Sequence, residues 1–375
     1  MLSLWLCLIP IALAVAGRYL LPNTITWRES AIKAGAACAV LTLGYGLAVM
    51  SVTQDIEIVN GAVTGKERNE VSCEHSYRCN CYTTCSTSSD GSQSCTEHCS
   101  TCYEHSYDVD WDVLSTIGTF TIDREDRRGI DEPARWTVVK ANDPVSRHNS
   151  YTNYLKAAPH SLFNTALADA ETKRYAGLIP SYPEVYDYYH VSHALDVNAG
   201  VPNIKDWDSE LDLTLRDLGP GKQVNVLAVF VKGQDRSYKH VLERAWIGGK
   251  KNDVIVVFGV NGETIEWVDA FTFGKTDGNH MLAVQLRDQL QALKTTADAS
   301  AGVKIIRTAV VTHFNRVTME KYKYLADDAH PSGTVIAWIV IVMLVVFGGL
   351  LYYFHVTDTG GEPGGSMFNR FTRRY

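Results

Sequence analysis

The chain has 375 residues, 46% of them hydrophobic and 21% charged, with a formal net charge of −7 at neutral pH. That balance excludes a disordered or fibrous chain and leaves enough apolar material for one large core or two small ones. The acidic surplus, with no basic block, excludes the electrostatic footprint of a nucleic-acid binder. In chain order, residues 2–21 are apolar but for Arg18, and residues 31–52 are apolar but for Lys33. Near the other end, residues 335–354 carry no charge, over the ~20 residues needed to cross a hydrocarbon layer. Three transmembrane helices are therefore expected, two N-terminal and one C-terminal. A competing reading makes residues 1–16 a signal peptide ending near Ala14-Val-Ala-Gly17, but the positive segment that normally opens such a peptide is missing.

The link between the first two apolar stretches holds Arg18, Arg28 and Lys33 against Glu29, and the tail holds Arg370, Arg373 and Arg374. The positive-inside rule places both in the cytoplasm. Everything from Thr53 to the third apolar stretch is then extracytoplasmic, in an inner or plasma membrane. No asparagine opens an Asn-x-Ser/Thr acceptor, which for an exported chain suits a bacterial or phage setting.

Seven of the nine cysteines fall between residues 71 and 107: Cys73, Cys79, Cys81, Cys85, Cys95, Cys99 and Cys102, with His75, His98 and His105 among them. Outside the cytoplasm such thiols form disulfides, and a stretch this polar needs covalent links for its order. The alternative is zinc, held by Cys79, Cys81, Cys85, Cys95, Cys99 and Cys102 with Cys73, His75 and His105. Seven is odd, so in a disulfide account one thiol is free, pairs with another chain, or binds metal. Cys73-x-His75 and Cys102-x2-His105 are near-symmetric, as if the two ends of the block met in a hairpin. Cys7 and Cys38 read as small apolar residues of the membrane helices.

Residues 108–113 and 118–123 alternate and read as strands, with Asp108, Asp110 and Asp112 on one face as a calcium alternative to a solvated face. Residues 135–140 read as a further strand, and 151–176 as one or two helices interrupted at Pro159. Tyr182, Tyr186, Tyr188 and Tyr189 crowd together, and His190 and His193 are spaced to share a helix face. An amphipathic helix over 207–218 ends at Gly219-Pro220-Gly221.

The centre of the chain is residues 222–275. An apolar run over 223–231, a helix over 237–246 with Ser237 as N-cap, a second apolar run over 253–258, an Asn261-Gly262 turn and an alternating strand over 264–273 make a strand–helix–strand–hairpin unit. The order of strand, helix ending Ala245-Trp-Ile-Gly-Gly-Lys250, then Asn252-Asp253 and strand resembles the TPM domain over roughly 203–325. The resemblance implies an extracytoplasmic α/β module tethered by a hydrophobic segment, in a family that includes photosystem II repair proteins and phosphatases. The family's usual Asp-Asn-Gly stands here as Asn252-Asp253-Val254. The chain as a whole also resembles tailed-bacteriophage membrane proteins in its cysteine block and terminal helices. Two helices, over 281–293 and 303–325, follow, the second leading to a hinge at Ala329-His-Pro-Ser-Gly333.

These elements predict a membrane-anchored α+β or α/β protein. Its parts are two N-terminal transmembrane helices (1–52), a cysteine-rich segment (53–107), a strand-rich then helical region (108–202), an α/β domain (203–330), a third transmembrane helix (333–354) and a cytoplasmic tail (355–375). No Gly-x-Ser-x-Gly, phosphate-cradling glycine loop or His-Glu-x2-His occurs. The expected role is a surface for a protein partner or for self-assembly at a lipid bilayer, with zinc or calcium as the cofactors the sequence leaves open. The alternatives are a metal-dependent phosphatase-like hydrolase using Asp235, Asn252, Asp253 and Asp269, which the TPM resemblance implies, and a zinc or redox module built on the cysteines.

Overall fold

A helix that is apolar all round has no water-facing side, so it lies against lipid or other helices. A computed structural model of the protein describes residues 5–20, 25–87, 93–158, 174–175, 177–186, 189–274 and 276–359. Of the helices expected over 151–176, the described residues show the turn Tyr154–Ala157, after the end of a strand at Thr152; residues 159–173, the cysteine-loop tip at 88–92 and the basic tail from 360 lie outside the described residues. The chain divides into two units: Met1–Asp55 with Ser150–Ala166 and Thr318–Tyr375, and Ile56–Asn149 with Leu167–Val317.

The first unit holds the apolar helices. The Trp27–Thr53 helix opens on a capping box in which Glu29 N–H donates to the Thr26 hydroxyl and Thr26 N–H donates to the Glu29 carboxylate. This helix and Gly333–Val356 are long and apolar enough to cross a membrane. The first expected span is a shorter helix, Leu8–Leu20, of 13 residues, about 20 Å long against a hydrocarbon layer of about 30 Å. Ala14, Ala37, Leu41, Met343 and Phe347 pack the three helices into one cluster. Small residues permit the approach: a Cβ on Gly44 would stand 3.1 Å from Ile339 Cγ2. The helix expected over 303–325 is split between the units. Ala299–His313 is α-helical and Met319–Asp328 is a separate 3-10 turn. The break falls where Asn315 N–H is taken by the Asn279 side-chain carbonyl instead of continuing the helical ladder.

The second unit contains two four-stranded sheets and a two-stranded hairpin. Its strands are β1 (Gln54–Val71, its first two residues belonging to the other unit), β2 (Ser76–Thr87), β3 (Gln93–Tyr103), β4 (Asp108–Ser115), β5 (Gly118–Ile122), β6 (Pro144–Thr152, its last three residues belonging to the other unit), β7 (Ala194–Val197), β8 (Asn225–Lys232), β9 (Asp253–Asn261) and β10 (Thr264–Thr272). The sheets run β5-β4-β1-β6 and β10-β9-β8-β7, and β2 pairs with β3 alone. In the second sheet β7, β8 and β9 are parallel and β10 turns back antiparallel through Asn261 and Gly262, whose φ is +61°.

Period-2 alternation sends Val226, Ala228, Phe230, Val254, Val256 and Phe258 to one face, against the Ile204–Lys222, Asp277–Ala292 and Ala299–His313 helices. Leu227, Val229, Val231, Ile255 and Val257 go to the other face, against Tyr238, Val241, Leu242 and Trp246 of the Ser237–Ala245 helix and its end. With both faces covered, β8 and β9 read as continuous apolar runs, as parallel strands do.

Two expectations are corrected. Residues 135–140 are not a strand: Ala134–Val138 is one helical turn started by Pro133, and Trp136 packs edge-on to Trp111, ring centroids 4.7 Å apart. Nor does the helix over 207–218 stop at Gly219-Pro220. It continues to Lys222 and is capped by Gln223 in the left-handed region, φ 50°. Gly219 is required there, because a Cβ would meet the Asn60 carbonyl oxygen at 2.0 Å. This close approach joins the helix to β1.

Candidate functional site

Parallel strands bring their N-terminal ends to one edge of a sheet, and the buried polar groups of this unit gather there. Asn225, which opens β8, is in register with Asp253, which opens β9. The Asn225 amide donates to Asp253 Oδ1 at 3.0 Å; the Tyr182 hydroxyl donates to the same carboxylate at 2.9 and 3.0 Å, and Lys250 N–H donates at 2.7 Å. Burial outweighs these donors and pushes the Asp253 carboxyl up to about 6. On its other side Asn225 Oδ1 accepts from Asn60 Nδ2 at 3.0 Å and faces His193 Nε2 at 3.1 Å. His193 Nδ1 lies 2.6 Å from Asp212, and Ser146 Oγ donates to Asn60 at 2.7 Å. A continuous polar chain thus runs from Tyr182 to Asp212 through three strand ends.

His193, Asp208 and Asp212 could group one ligand atom each within 4.8 Å. Their atoms are already committed: Asp208 accepts the backbone N–H groups of His193 and Ala194 at 2.6 and 2.9 Å, and Asp212 faces the imidazole. Burial, then the charge of Asp212 against it, raises the Asp208 carboxyl. The crevice beside His193 is closed to a water-sized sphere. The arrangement is a buried polar strut. His190 does not share a helix face with His193; it sits in a bridge to Tyr186.

The four carboxylate and amide candidates do not form one site. Asp253 and Asn252 are at the start of β9, whereas Asp235 follows the far end of β8, roughly 23 Å away along a strand of that length. Ser237 is not the N-cap expected of it: Arg236 holds that position without a side-chain cap, and Asp235 accepts from Ser237 N–H at 2.9 Å. The Ser237 hydroxyl and N–H hold its carboxyl below the ordinary range, aided by Arg174. Asn252 is buried and donates to the Ile58 carbonyl at 2.6 Å. Asp269, half-buried in β10, accepts from Ala270 N–H. Ligand sites of parallel sheets usually lie beyond the C-terminal strand ends. Here that edge holds Asp196, spent on the N–H groups of Ala199, Gly200 and Val201. Sequence reasoning missed Glu57, which is fully buried with Arg316 at 2.7 Å, Lys251 at 3.1 Å and Asn149 at 2.6 Å.

The calcium alternative is displaced by the protein's own cation. Arg124 lies 3.2 Å from Asp108 and 2.6 Å from Asp110, while Asp112 accepts from Asn69 and Thr121.

The cysteine block separates into six and one. Cys79–Cys102, Cys81–Cys99 and Cys85–Cys95 are disulfides across the β2–β3 hairpin. Zinc coordination by those six thiols therefore gives way to cross-links. Cys73 is free and buried, outside the hairpin, and Cys7 and Cys38 are free in the apolar helices. The hairpin is exposed on both faces. Tyr77, Tyr82 and Tyr103 are 51%, 63% and 58% exposed, and the Tyr82 and His98 rings stack at 5.4 Å.

No family model, no curated protein and no solved structure matches the chain. The fold and its chemistry define a class: a mixed α/β protein with two helices fit to cross a membrane and a disulfide-braced hairpin. The apolar helices point to membrane association, and the disulfides to an oxidising compartment.

Proposed function

We propose that the chain is a multi-pass membrane protein whose β2–β3 hairpin is a docking surface for a protein partner outside the cytoplasm. The observation that carries this reading is the hairpin: two strands exposed on both faces, held by three cross-links, carrying three exposed tyrosines. A two-stranded hairpin with no core is marginal in water, so order at this place comes from covalent chemistry. A surface fixed before binding loses less entropy on association, and tyrosine supplies contact area with a polar tip. The positive charges flanking the apolar stretches support an extracytoplasmic domain and a cytoplasmic tail. A bacterial or phage envelope, and a distant kinship of the β8–β10 unit to TPM modules, are the setting this reading implies.

The hydrolase alternative has less support, because its carboxylates stand at opposite ends of the strands and the Asp253 end is closed. A photo-crosslinking residue at Tyr82, compared with one at the exposed Met281 in native membranes, tests the docking role. A discrete adduct from Tyr82 alone is expected. An adduct of twice the chain's mass would assign the surface to self-assembly, and no adduct above that from Met281 would reject it.

A further inference from the structure

We propose that Cys73, His105 and Asp108 form a binding site for one divalent transition-metal ion, zinc by its donor set, at the root of the β2–β3 hairpin. Their ligand atoms all lie within 4.8 Å of one another. Cys73, 6% exposed, is the one thiol of the block left out of the disulfides. His105 Nε2 and Asp108 Oδ1 are both buried and 3.4 Å apart without a well-formed hydrogen bond among the described residues; the Cys73 thiol interacts with the Asp108 carboxylate and lies 3.7 Å from the His75 carbonyl. Buried polar atoms are rarely left this way. Around a tetrahedral ion with bonds of about 2.0–2.3 Å, neighbouring ligand atoms lie roughly 3.3–3.7 Å apart. The His105–Asp108 separation already has that value, and Cys73 Sγ lies within 4.8 Å of both atoms.

The surroundings support the aim of each ligand. Asp108 Oδ2 is held by Glu74 N–H at 2.9 Å and Arg124 at 3.2 Å, which turns Oδ1 towards the cluster. Asp110, 2.6 Å from Arg124, offsets that cation. The His75 ring packs edge-on to His105 at 5.8 Å, with its Nε2 held at the Arg127 carbonyl, so it orients His105 and is not counted as a ligand. A thiolate, an imidazole and a carboxylate form the mixed S/N/O set that zinc takes with solvent as fourth ligand. Binding converts the Cys73 thiol to a zinc-bound thiolate and releases one proton to solvent.

Cys73 precedes β2, and His105 and Asp108 follow β3. The ion would therefore clamp the two ends of the hairpin, which Glu104 N–H to the His75 carbonyl, 3.0 Å, already draws together. The site stands whether or not the hairpin docks a partner.

The test uses the full chain in detergent with its disulfides intact, zinc content measured by mass spectrometry and cobalt(II) as the optical probe. One ion per chain and a thiolate-to-cobalt charge-transfer band are expected. Cys73→Ser should abolish the band, and both it and His105→Gln should weaken binding by more than about 100-fold, beyond the usual loss for an outer-shell partner. His98→Gln, on the exposed hairpin, should change neither. Disulfide mapping of each variant guards against misfolding. In the unmodified chain zinc should slow alkylation of Cys73 at least about tenfold, reversed by chelator. Absence of a stoichiometric ion, unweakened binding by Cys73→Ser, or alkylation indifferent to zinc would each overturn the proposal.

Discussion

Residues 225–231 of β8 are buried throughout, and β9 is buried from Asp253 to Val260; in β2 every residue but the half-buried Cys79 is exposed. The sheet is held by apolar side chains that helices cover on both faces, the hairpin by three covalent bonds across a polar ladder. Where burial supplies the order, each side chain is part of the support. Where cross-links supply it, the side chains are free to be chosen for what they meet. Large-to-small changes in the two places should therefore differ sharply. Phe230 stacks on Phe258 at 4.7 Å and meets Trp207 edge-on at 5.2 Å. Phe230→Ala should cost about 4 kcal/mol, by loss of transfer energy and by the cavity left behind. Tyr82→Ala should stay within about 0.5 kcal/mol. Denaturant melts of the detergent-solubilised chain measure both, and equal losses would remove the contrast.

The next effect separates apolar from polar support within the sheet. Asp253 has its carboxyl raised to about 6 by burial. A raised carboxyl is a folded state that prefers the proton, so its contribution is fully present below the unfolded value near 4 and is lost as pH rises through about 6. The shift of about two units corresponds to roughly 3 kcal/mol. Stability measured from pH 7 down to pH 4 should gain that much more in the unaltered chain than in Asp253→Asn, which has no proton to take up there. Parallel pH profiles would show that burial is not what sets this carboxyl.

The contrast also explains what could be read in advance. The strands β8, β9 and β10 and the helices on them were legible because apolar runs and 3.6-residue stripes are the direct imprint of a two-sided core. β1 and β6 escaped notice because their inward faces carry Asp55, Glu57, Asn60 and Ser146, which break the alternation that marks a strand. The polar strut was illegible for a different reason. His193, Asn225 and Asp253 are far apart in sequence, and each passes for an ordinary residue of a turn or strand start; only the polar opening of two apolar runs hinted at their meeting. The odd number of cysteines announced a leftover thiol. That it is Cys73 follows from β2–β3 register, with Cys85 opposite Cys95, which no spacing rule states.

The smallest global effect should come from the hairpin's own covalent chemistry. Cys85–Cys95 closes a separation of 10 residues, and the chain-entropy relation assigns such a loop about 2.7 kcal/mol. If the hairpin is ordered by cross-links alone, that energy is local. Cys85→Ser with Cys95→Ser should speed amide exchange in the outer parts of β2 and β3 by up to about a hundredfold, 1.4 kcal/mol corresponding to each tenfold. The melting temperature of the β7–β10 sheet should move by no more than about 1 °C, since none of its buried contacts changes. Hydrogen exchange and a thermal melt on the same sample separate the two readouts. A melting temperature lowered by several degrees would mean that the hairpin and the sheet unfold together, and that the cross-links support the core as well as the arm.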